Sequence, residues 1–579
     1  AQGSNRCCTS LIRRSCLLPM VVERRTDPDD GVAYTFDELA AYYRKTYSSK
    51  AIKAYWNERC IPKGQAAAGR ELVKTMARRE RDWRVGPVVY QVFVDRFAPS
   101  ADLESKRSLY PSPCTLHEWT ELPKVGDQNE ETRYYMHELQ FWGGDLQSLR
   151  SKSEYIKDLG ADVLYLQPIV EAFSNHKYDT TDYLKVDPQY GSMEDFKELA
   201  TTVHEAGMKL VIDGVFNHMG SRSQAFKEAL EDKGSSKRDW FFLGEEYKLG
   251  YKVWGGAANL LELRLESPKL QQFLWKGKDS VVAHWLAAGA DGWRLDVASE
   301  IGFALLSSIT RSAHGHKRGS LVVGEVWAYP PQWTSAMDGV LSLHLGVLVY
   351  GLVDGTCPGP TAAQSIARMI EDSSMEEVLR SWIVVSNHDM PRLAARIPDV
   401  RLRKFAQALQ FTWPGSPLVY YGDELGLDGG DDPHNRAPMP WEAAKDGNEM
   451  LEHTRKLVAL RKRARALRIG DYRALASQRL MAFMRTTERV MDLVVVLANP
   501  TDEPVKEMVV IPVPAVLGHT LFRDELSGEE VRALGSTITV EVAAKSMRIF
   551  TMVDESGNPS GDQYKRMYGH YATFKDIQP

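Results

Sequence analysis

The sequence predicts an α/β protein built on a (β/α)8 barrel, with a small excursion domain after strand 3, a C-terminal antiparallel β domain and an N-terminal helical extension. Eight short runs rich in β-branched residues are each followed by a polar loop and a helical pattern, which is typical of a parallel sheet covered by helices. Eight such units close into a TIM barrel. Alternating strands with turn signals beyond residue 468 predict the antiparallel domain.

Each predicted barrel strand is apolar along nearly its whole length, as expected for a strand buried on both faces. The runs are, in chain order, VVYQVFV from Val88, VLYLQPI from Val163, KLVIDGVF from Lys209, DGWRLDV from Asp291, SLVVGEVW from Ser320, VLSLHLGVLVYG from Val340, SWIVVSN from Ser381 and PLVYYGDE from Pro417. A chain of 579 residues is long enough to bury this barrel and to form at least one further domain.

Changes in sequence pattern predict five segments. They are a basic N-terminal arm over 1–25, a helical extension over 26–85, a catalytic barrel over 86–468 with its excursion domain at about 218–275, a C-terminal β-sandwich over 469–553 and a tail over 554–579. In the extension, Thr35 and Glu38 form a capping-box pair and a second helix follows Ser49, which predicts a helical hairpin. The stretch GQAAAGR from Gly64 predicts a linker.

Composition restricts the class of protein. A net charge of −5 argues against non-specific binding of nucleic acid. No apolar run approaches the length of a membrane span, which predicts a soluble protein. Six cysteines without metal-ligand spacing indicate free thiols in a reducing compartment. The first 25 residues carry arginines and no acid before Glu23, which favours an organellar (mitochondrial or plastid) location over the cytoplasm, although a basic arm docked on a partner fits equally well.

Charged residues stand where several predicted strands end. The fourth strand ends with Arg294 and Asp296, the fifth with Glu325, and Asp389 follows the seventh. Side chains alternate along a strand, so Arg294 and Asp296 point in the same direction. Any one of these acids could simply cap a helix or pair with a neighbour. Three acids on three strands instead predict one shared site at the C-terminal face of the barrel, where such barrels carry their chemistry.

Paired carboxylates are the groups that hydrolyse glycosidic bonds. One attacks the anomeric carbon, and the other protonates the leaving oxygen and later deprotonates water. We expect Arg294 to lower the pKa of Asp296, because a nearby cation favours the ionised carboxylate. A general acid needs a raised pKa instead, and the apolar neighbours Val326 and Trp327 predict such a setting for Glu325.

At these residues the sequence resembles the α-amylase superfamily of glycoside hydrolases. Four stretches are similar to the four main blocks of that family: DGVFNH from Asp213, DGWRLDVASE from Asp291, GEVW from Gly324 and SNHDMPR from Ser386. Four more stretches are similar to further blocks, of the maltogenic-amylase, neopullulanase and bacterial α-amylase types: YQVFVDRFA, FWGGDL, NHKYDTTDY and PGSPLVYYGDELGLDGGDDPHNRAPMPW. The resemblance spans about Val88 to Leu467 and the β domain that follows.

The resemblance implies a function for individual residues. Asp296 would be the nucleophile, Glu325 the acid/base, and Asp389 would bind sugar hydroxyls and strain the ring. The implied substrate-binding residues are Tyr178, which stacks on the sugar, His218 and His388, which donate hydrogen bonds, Arg294, which orients the nucleophile, and Asp432 and Arg436, which hold the far end of the sugar. Asp213 would be a structural acid beneath the site.

The excursion departs from the family pattern. Where the family has LPDLN or LPELN, this chain has NLLELRLESP from Asn259, so that Leu261 replaces the proline and Arg264 the asparagine. Many members hold calcium in this region. We therefore expect no required cofactor and no Ca2+ site of the common type, with Asn217 as the one candidate metal ligand. Ser299 and Glu300 resemble the neopullulanase side of the superfamily.

The function predicted from these observations is a retaining glycoside hydrolase that cleaves α-1,4-glucosidic bonds in maltooligosaccharides or starch-like α-glucans. Three alternatives stay open: a transglycosylase on the same substrates, a structural subunit of a larger protein assembly formed through the N- and C-terminal extensions, and a glucan-binding protein without catalysis. The predicted partner is an α-glucan, with no nucleic acid and no membrane span.

Overall fold

A computed structural model describes residues 24–27, 32–58, 61–514, 516 and 518–553. Two compact units divide the chain between Ala77 and Arg78. Nearly all of the predicted basic arm and the whole predicted tail lie outside the described residues. The organellar location and the assembly through these extensions therefore stay predictions.

The first unit contains the predicted helical hairpin. Thr35 precedes the first helix and accepts a hydrogen bond from the Glu38 amide at 3.2 Å, while the Glu38 carboxylate accepts one from the Thr35 amide at 2.8 Å. The helices are α1 (Phe36–Tyr43), α2 (Ser49–Glu58) and α3 (Lys63–Arg81). Short strands at Arg24–Thr26, Ala33–Thr35 and Ile61–Pro62 form a sheet beside them. The linker predicted from Gly64 is wrong, because α3 runs through its alanines, which favour helix.

The second unit contains a closed barrel of eight parallel strands, which confirms the predicted fold class. The strands are β1 (Val89–Val92), β2 (Val163–Leu166), β3 (Lys209–Gly214), β4 (Gly292–Leu295), β5 (Leu321–Val326), β6 (Gly339–Ser342), β7 (Trp382–Ile383) and β8 (Ser416–Tyr420). Each strand pairs with the next, and β8 pairs with β1. The C-terminal ends of all eight therefore open at one face.

Helices separate the barrel strands and follow the last of them. The α-helices of five or more residues among them are α4 (Leu146–Ser151), α5 (Ser153–Leu159), α6 (Met193–Glu205), α7 (Gln224–Glu231), α8 (Val281–Ala288), α9 (Phe303–His316), α10 (Leu343–Asp354), α11 (Gly359–Asp372), α12 (Met375–Arg380), α13 (Val400–Thr412), α14 (Glu449–Arg463) and α15 (Arg465–Ile469). Within the described residues, no helix combines the length and the apolar character needed to cross a membrane.

The sixth predicted strand is correct only in its first part. The run from Val340 forms β6 as far as Ser342 and then continues as α10. Leu345, Val349 and Leu352 are buried on one side of this helix, whereas Val347 is 66% exposed. An uninterrupted apolar run fits a buried strand and a buried helix equally well, so periodicity alone did not separate them.

Antiparallel strands occur in two regions, the excursion after β3 and the domain that follows the barrel. The excursion after β3 pairs His218–Gly220 with Leu260–Glu262 and carries α7. The C-terminal strands are β9 (Asp471–Ala474), β10 (Met481–Thr486), β11 (Val494–Asn499), β12 (Val505–Val510), β13 (Leu521–Asp524), β14 (Glu530–Arg532), β15 (Thr537–Val542) and β16 (Ser546–Met552). Strands β12 and β15 pair with each other, and the other six form one sheet. Val495, Val509, Ile538 and Phe550 belong to the apolar core that both sheets share.

A buried carboxyl group lies just beyond β8. Glu424 is fully buried, and its Oε1 accepts hydrogen bonds from the hydroxyls of Tyr90 at 2.6 Å and Tyr155 at 2.8 Å. Its Oε2 has no hydrogen-bond partner among the described residues. Burial disfavours the charged form and raises the pKa of Glu424 to about 7.

This carboxyl group is expected to make folding stability depend on pH. The folded protein keeps the Glu424 proton up to about pH 7, whereas an unfolded chain loses it near 4.5. This proton adds about 3 kcal/mol to the free energy of unfolding. The contribution is fully present below the unfolded pKa of 4.5 and is lost as the pH rises through the folded pKa of about 7. Glu424→Gln cannot ionise. We therefore expect the thermal midpoint of the wild type to fall relative to that of Glu424→Gln between about pH 5 and 8.

Thermal unfolding followed by circular dichroism at several pH values measures this difference. Glu154→Gln is the matched control, because Glu154 is 71% exposed and contacts only Lys157 at 3.3 Å among the ion pairs of the described chain. Its curve should follow that of the wild type. Parallel curves for the wild type and Glu424→Gln would contradict the prediction.

Candidate active site

The backbone turns sharply where β4 ends. Val297 follows Asp296 and has φ 46° and ψ 40°, in the left-handed region that a β-branched residue adopts only under strain. Its amide donates a hydrogen bond to Oε2 of Glu325 at 3.1 Å. The strained turn therefore places a backbone donor from β4 on the carboxylate of β5.

One guanidinium group connects three acids at this face. Arg294 is fully buried, and its Nη1 donates to Oδ1 of Asp296 at 2.7 Å and to Oδ1 of Asp213 at 3.1 Å. Its Nη2 lies 2.9 Å from Oε2 of Glu325. Burial opposes the charge on Arg294, but the negative charge of Asp213 and that of Glu325 outweigh it and raise its pKa. The arginine thus stays charged and offsets part of the repulsion among the acids.

Asp296 and Glu325 bind the two terminal nitrogens of one guanidinium group, so their carboxyl groups lie close together. Two like charges at this spacing disfavour ionisation of both groups at once. Burial, followed by the charges of Glu325 and Asp213, raises the pKa of Asp296 well above its usual value even though Arg294 acts against the shift. Burial acts in the same direction on Glu325. However, Arg294 and the hydrogen bonds from Trp327 Nε1, at 2.9 Å, and from the Val297 amide lower its pKa.

The net directions are opposite to those expected from the sequence. Arg294 does act to lower the pKa of Asp296, as expected, but burial and the neighbouring acids outweigh it, because that cation is divided among three acids. The sequence also placed Glu325 among apolar neighbours, whereas three donors point at its carboxylate. In this arrangement Asp296 therefore has the raised pKa of the pair and Glu325 the lowered one.

Asp389 is the most accessible of the three predicted catalytic acids. Its side chain is 34% exposed, and its Oδ2 lies 3.1 Å from Nε2 of His388. Desolvation, together with the charge of Glu325, raises the pKa of Asp389 to about 6. Arg436 lies 3.6 Å from Oδ1 of Asp389 and 3.1 Å from Oδ2 of Asp432, so these residues continue the network away from the paired acids.

Tyr178 connects the two sides of the site. Its ring stacks on that of His388, with centroids 5.4 Å apart and planes 9° apart. Its hydroxyl donates to Oδ2 of Asp213 at 3.0 Å and lies 2.7 Å from Nε2 of His388. The pKa of His388 is well below its usual value because of burial and the nearby charge of Arg436. The imidazole of His388 is therefore neutral near pH 7.

His218 presents unused polar atoms to the site. It is buried, its Nε2 lies 3.8 Å from Oδ2 of Asp296, and neither ring nitrogen has a hydrogen-bond partner among the described residues. Burial lowers its pKa to about 3, so the ring is neutral. A neutral, buried imidazole with a free N–H can donate a hydrogen bond to a ligand hydroxyl.

The structure thus brings together every predicted catalytic and substrate-binding residue and the structural acid. Asn217 adjoins this network. Its backbone carbonyl accepts from the Leu263 amide at 3.0 Å, and its side-chain Nδ2 lacks a hydrogen-bond partner in the described chain. No group of three or more His, Cys, Asp or Glu side chains among the described residues is arranged to hold a metal ion. Asn217 therefore has no such cluster of co-ligands among the described residues.

Three further residues complete the site, and the sequence did not single them out. Trp254 stacks on His218 at 4.8 Å, and its Nε1 donates to Oε2 of Glu300 at 2.9 Å. Gln91 lies 3.1 Å from Nδ1 of His388. The hydroxyl of Tyr165 donates to Asp213 at 2.6 Å. Gln91 and Tyr165 lie on predicted strands and could have been found by position, but Trp254 lies in the excursion, where no periodicity marks it.

A family model described as "Alpha amylase, catalytic domain" matches residues 91–469, well over half of the chain. The chain belongs to the α-amylase family. It is an α-amylase-like glycosidase. The match covers the barrel and all the residues of the acid network, so the site described above lies in the part of the chain that defines the α-amylase family.

Three similar proteins of the α-amylase family, all from bacteria, illustrate the relationship. Neopullulanase 2 from Thermoactinomyces vulgaris is 31% identical over 470 residues, covering 78% of this chain and 75% of that protein. A cyclomaltodextrinase from Geobacillus thermopakistaniensis is 31% identical over 475 residues, covering 80% and 76%. A cyclic α-maltosyl-(1→6)-maltose hydrolase from Arthrobacter globiformis has a similar structure, with a TM-score of 0.68 and 26% identity over 82% of this chain and 99% of that one. These organisms give no support to an organellar location.

Proposed function

We propose that this protein is a retaining glycoside hydrolase that cleaves α-1,4-glucosidic bonds in maltooligosaccharides or starch-like α-glucans. The observation that carries the proposal is the pair of carboxyl groups, Asp296 and Glu325, held together by one buried arginine. The names of the neopullulanase and cyclomaltodextrinase relatives support an α-glucan as the substrate class.

The short separation of the two carboxyl groups supports a retaining route. Inverting enzymes leave about 6.5–9.5 Å between their acids to admit a water, whereas retaining enzymes hold them about 5–5.5 Å apart. Asp296 and Glu325 lie 2.7 and 2.9 Å from the two terminal nitrogens of the same guanidinium group, which holds their carboxyl groups close to each other. In our proposal Asp296 attacks the anomeric carbon and Glu325 protonates the leaving oxygen. Glu325 then removes a proton from the water that releases the sugar.

The proposed reaction requires Asp296 as the anion and Glu325 as the protonated acid when the bond breaks. Oδ1 of Asp296 lies 2.7 Å from Arg294, whose positive charge favours that anion. A sugar that binds between the two carboxyl groups separates the charge of Asp296 from Glu325. Arg294 then stabilises the nucleophile, while Trp327 and the Val297 amide keep the acid oriented.

The remaining residues are proposed to bind and distort the sugar. His218 and His388 are neutral donors, Tyr178 offers a ring face, and Asp389 accepts from sugar hydroxyls. Asp432 and Arg436 hold the end of the sugar that lies away from the cleaved bond. Contacts that strengthen as the ring flattens lower the barrier, because only interactions stronger in the transition state accelerate the reaction.

A transglycosylase is the second candidate, and one observation favours it. Trp327 is 59% exposed although it donates a hydrogen bond to the proposed acid/base Glu325. An exposed aromatic ring at this position can hold a sugar acceptor that intercepts the intermediate in place of water.

Product analysis with maltotriose tests both candidates. We expect glucose and maltose, with the newly formed reducing end in the α configuration when it is followed by NMR during the first turnovers. Products longer than maltotriose would indicate transfer. Release of the β anomer would contradict the retaining route, and a purified chain that leaves maltooligosaccharides of every length intact would contradict the proposed function.

A further inference from the structure

A groove of about 630 Å³ is formed outside the acid network, and the proposed mechanism does not use it. Its lining includes Tyr329, which follows β5 in the chain, and Thr361, Gln364 and Arg368 of α11. Its volume lies within the range of about 300–1,000 Å³ that is usual for ligand pockets. We call it the Tyr329 groove.

A short segment of chain connects the Tyr329 groove to the proposed acid/base. Tyr329 is four residues beyond Glu325, so their Cα atoms are at most roughly 14 Å apart. Trp327 lies between them in the chain and contacts Glu325 through its Nε1 at 2.9 Å. Because the acid protonates the leaving oxygen, a glucan that continues beyond the cleaved bond starts at Glu325. Trp327 and then Tyr329 are the next exposed rings along this segment.

The ring of Tyr329 is held in a fixed orientation and remains accessible. It is 43% exposed and packs edge-on against His344, with centroids 5.4 Å apart. Its hydroxyl donates to Oδ2 of Asp372 at 3.0 Å, and Arg368 lies 2.7 Å from Oδ1 of the same carboxylate. An aromatic ring fixed in this way offers a flat surface with little loss of side-chain freedom, which suits the apolar face of a sugar ring.

The lining residues of α11 supply hydrogen-bonding groups. Thr361, Gln364 and Arg368 are spaced three and four residues apart, so they share one face of α11, and all three are exposed. A hydroxyl, an amide and a guanidinium group together offer donors and acceptors along the helix. An aromatic ring beside polar groups matches the two kinds of surface that a glucose unit presents.

We propose that the Tyr329 groove binds glucosyl units of the leaving-group side of the substrate, beyond the unit that receives the proton of Glu325, and thereby makes the enzyme prefer long α-glucan chains. This inference rests on the proposed function and extends it to chain-length specificity. The groove acts by binding alone and takes no part in the chemistry.

The test compares a short substrate with a long one. For Tyr329→Ala and for Arg368→Ala we expect the ratio of kcat/KM on maltoheptaose to kcat/KM on maltotriose to fall about tenfold, the effect of one lost sugar–aromatic contact. Tyr329→Phe, which keeps the ring, should lose much less. Arg523→Ala is the matched control, because Arg523 is an exposed arginine paired with Glu530 in the C-terminal domain, and the ratio should not change. Equal losses on both substrates would overturn the inference.

A binding measurement separates this inference from the proposed function. If the wild type cleaves neither substrate, the proposed function fails, and the groove is then tested by calorimetric titration of the full chain carrying Asp296→Asn with maltoheptaose. A weaker affinity when Tyr329→Ala is added would support the groove. An unchanged affinity, or no binding of maltoheptaose in either variant, would overturn it.

Discussion

Replacing Asp296 by asparagine is expected to lower kcat/KM on maltotriose by about 10⁴- to 10⁶-fold. An amide has nearly the shape of a carboxylate but cannot attack the anomeric carbon. The covalent step is therefore lost, while the packing of the site is kept. Asp296→Asn also removes one of the three acids that share Arg294, so we expect the fold to persist. Initial rates of reducing-sugar release and a thermal unfolding curve of the same preparation measure the two effects separately.

Asp279→Asn is the matched control for this experiment. Asp279 is 86% exposed and lies 3.8 Å from its ion-pair partner Lys278, so the substitution should leave the rate within about twofold of the wild type. A residual activity of Asp296→Asn above a few per cent, with the control unchanged, would show that Asp296 is not the nucleophile. No effect at all on glucan turnover would favour a binding protein without catalysis.

Replacing Glu325 by glutamine is expected to lower kcat/KM on maltotriose by about 10²- to 10⁴-fold, the usual contribution of a general acid. The loss should be much smaller on p-nitrophenyl α-maltoside, because nitrophenolate departs without needing a proton. The comparison of the two substrates is informative here since the surroundings raise the pKa of Asp296 and lower that of Glu325, whereas the proposal requires the proton on Glu325 during the reaction.

Azide distinguishes the two carboxyl groups directly. In Glu325→Gln, azide can attack the intermediate without a general base and should restore turnover, giving a maltosyl azide of retained configuration. In Asp296→Asn, azide can only replace the nucleophile and should give the inverted product. If Asp296→Asn, and not Glu325→Gln, keeps most of its activity on p-nitrophenyl α-maltoside, the two functions are exchanged and Asp296 is the acid.

Much of the architecture is predictable from the sequence because it is encoded locally. Each barrel strand is an apolar run of the right length, and Thr35 and Glu38 mark the start of a helix through the spacing of two side chains. Where a local pattern fits two structures, prediction fails. The apolar run after Ser342 continues as a helix, and the glycines around three alanines from Gly64 lie in a helix instead of a linker.

The membership of the candidate site is also largely predictable, since residues at strand ends meet once the barrel closes. Arg294, Asp296, Glu325 and Asp389 follow from this rule alone. Trp254 does not, because it reaches His218 from a loop of the excursion that has no periodic pattern. The Tyr329 groove does not either, since Tyr329 and the lining residues of α11 are separated by about 30 residues of chain and become neighbours only in the folded protein, where α11 packs against α10.

The sequence by itself determined the barrel, its strand ends and which charged residues gather there, because side-chain direction alternates along a strand whatever the rest of the chain does. Only the tertiary structure decided which of those acids has a raised pKa and which a lowered one. Arg294 divides its charge among three acids, and the strained turn at Val297 and the ring of Trp327 bring donors to Glu325. A pKa depends on the sum of burial, charges and hydrogen bonds around a group, and those contributions come from residues that are distant in the chain.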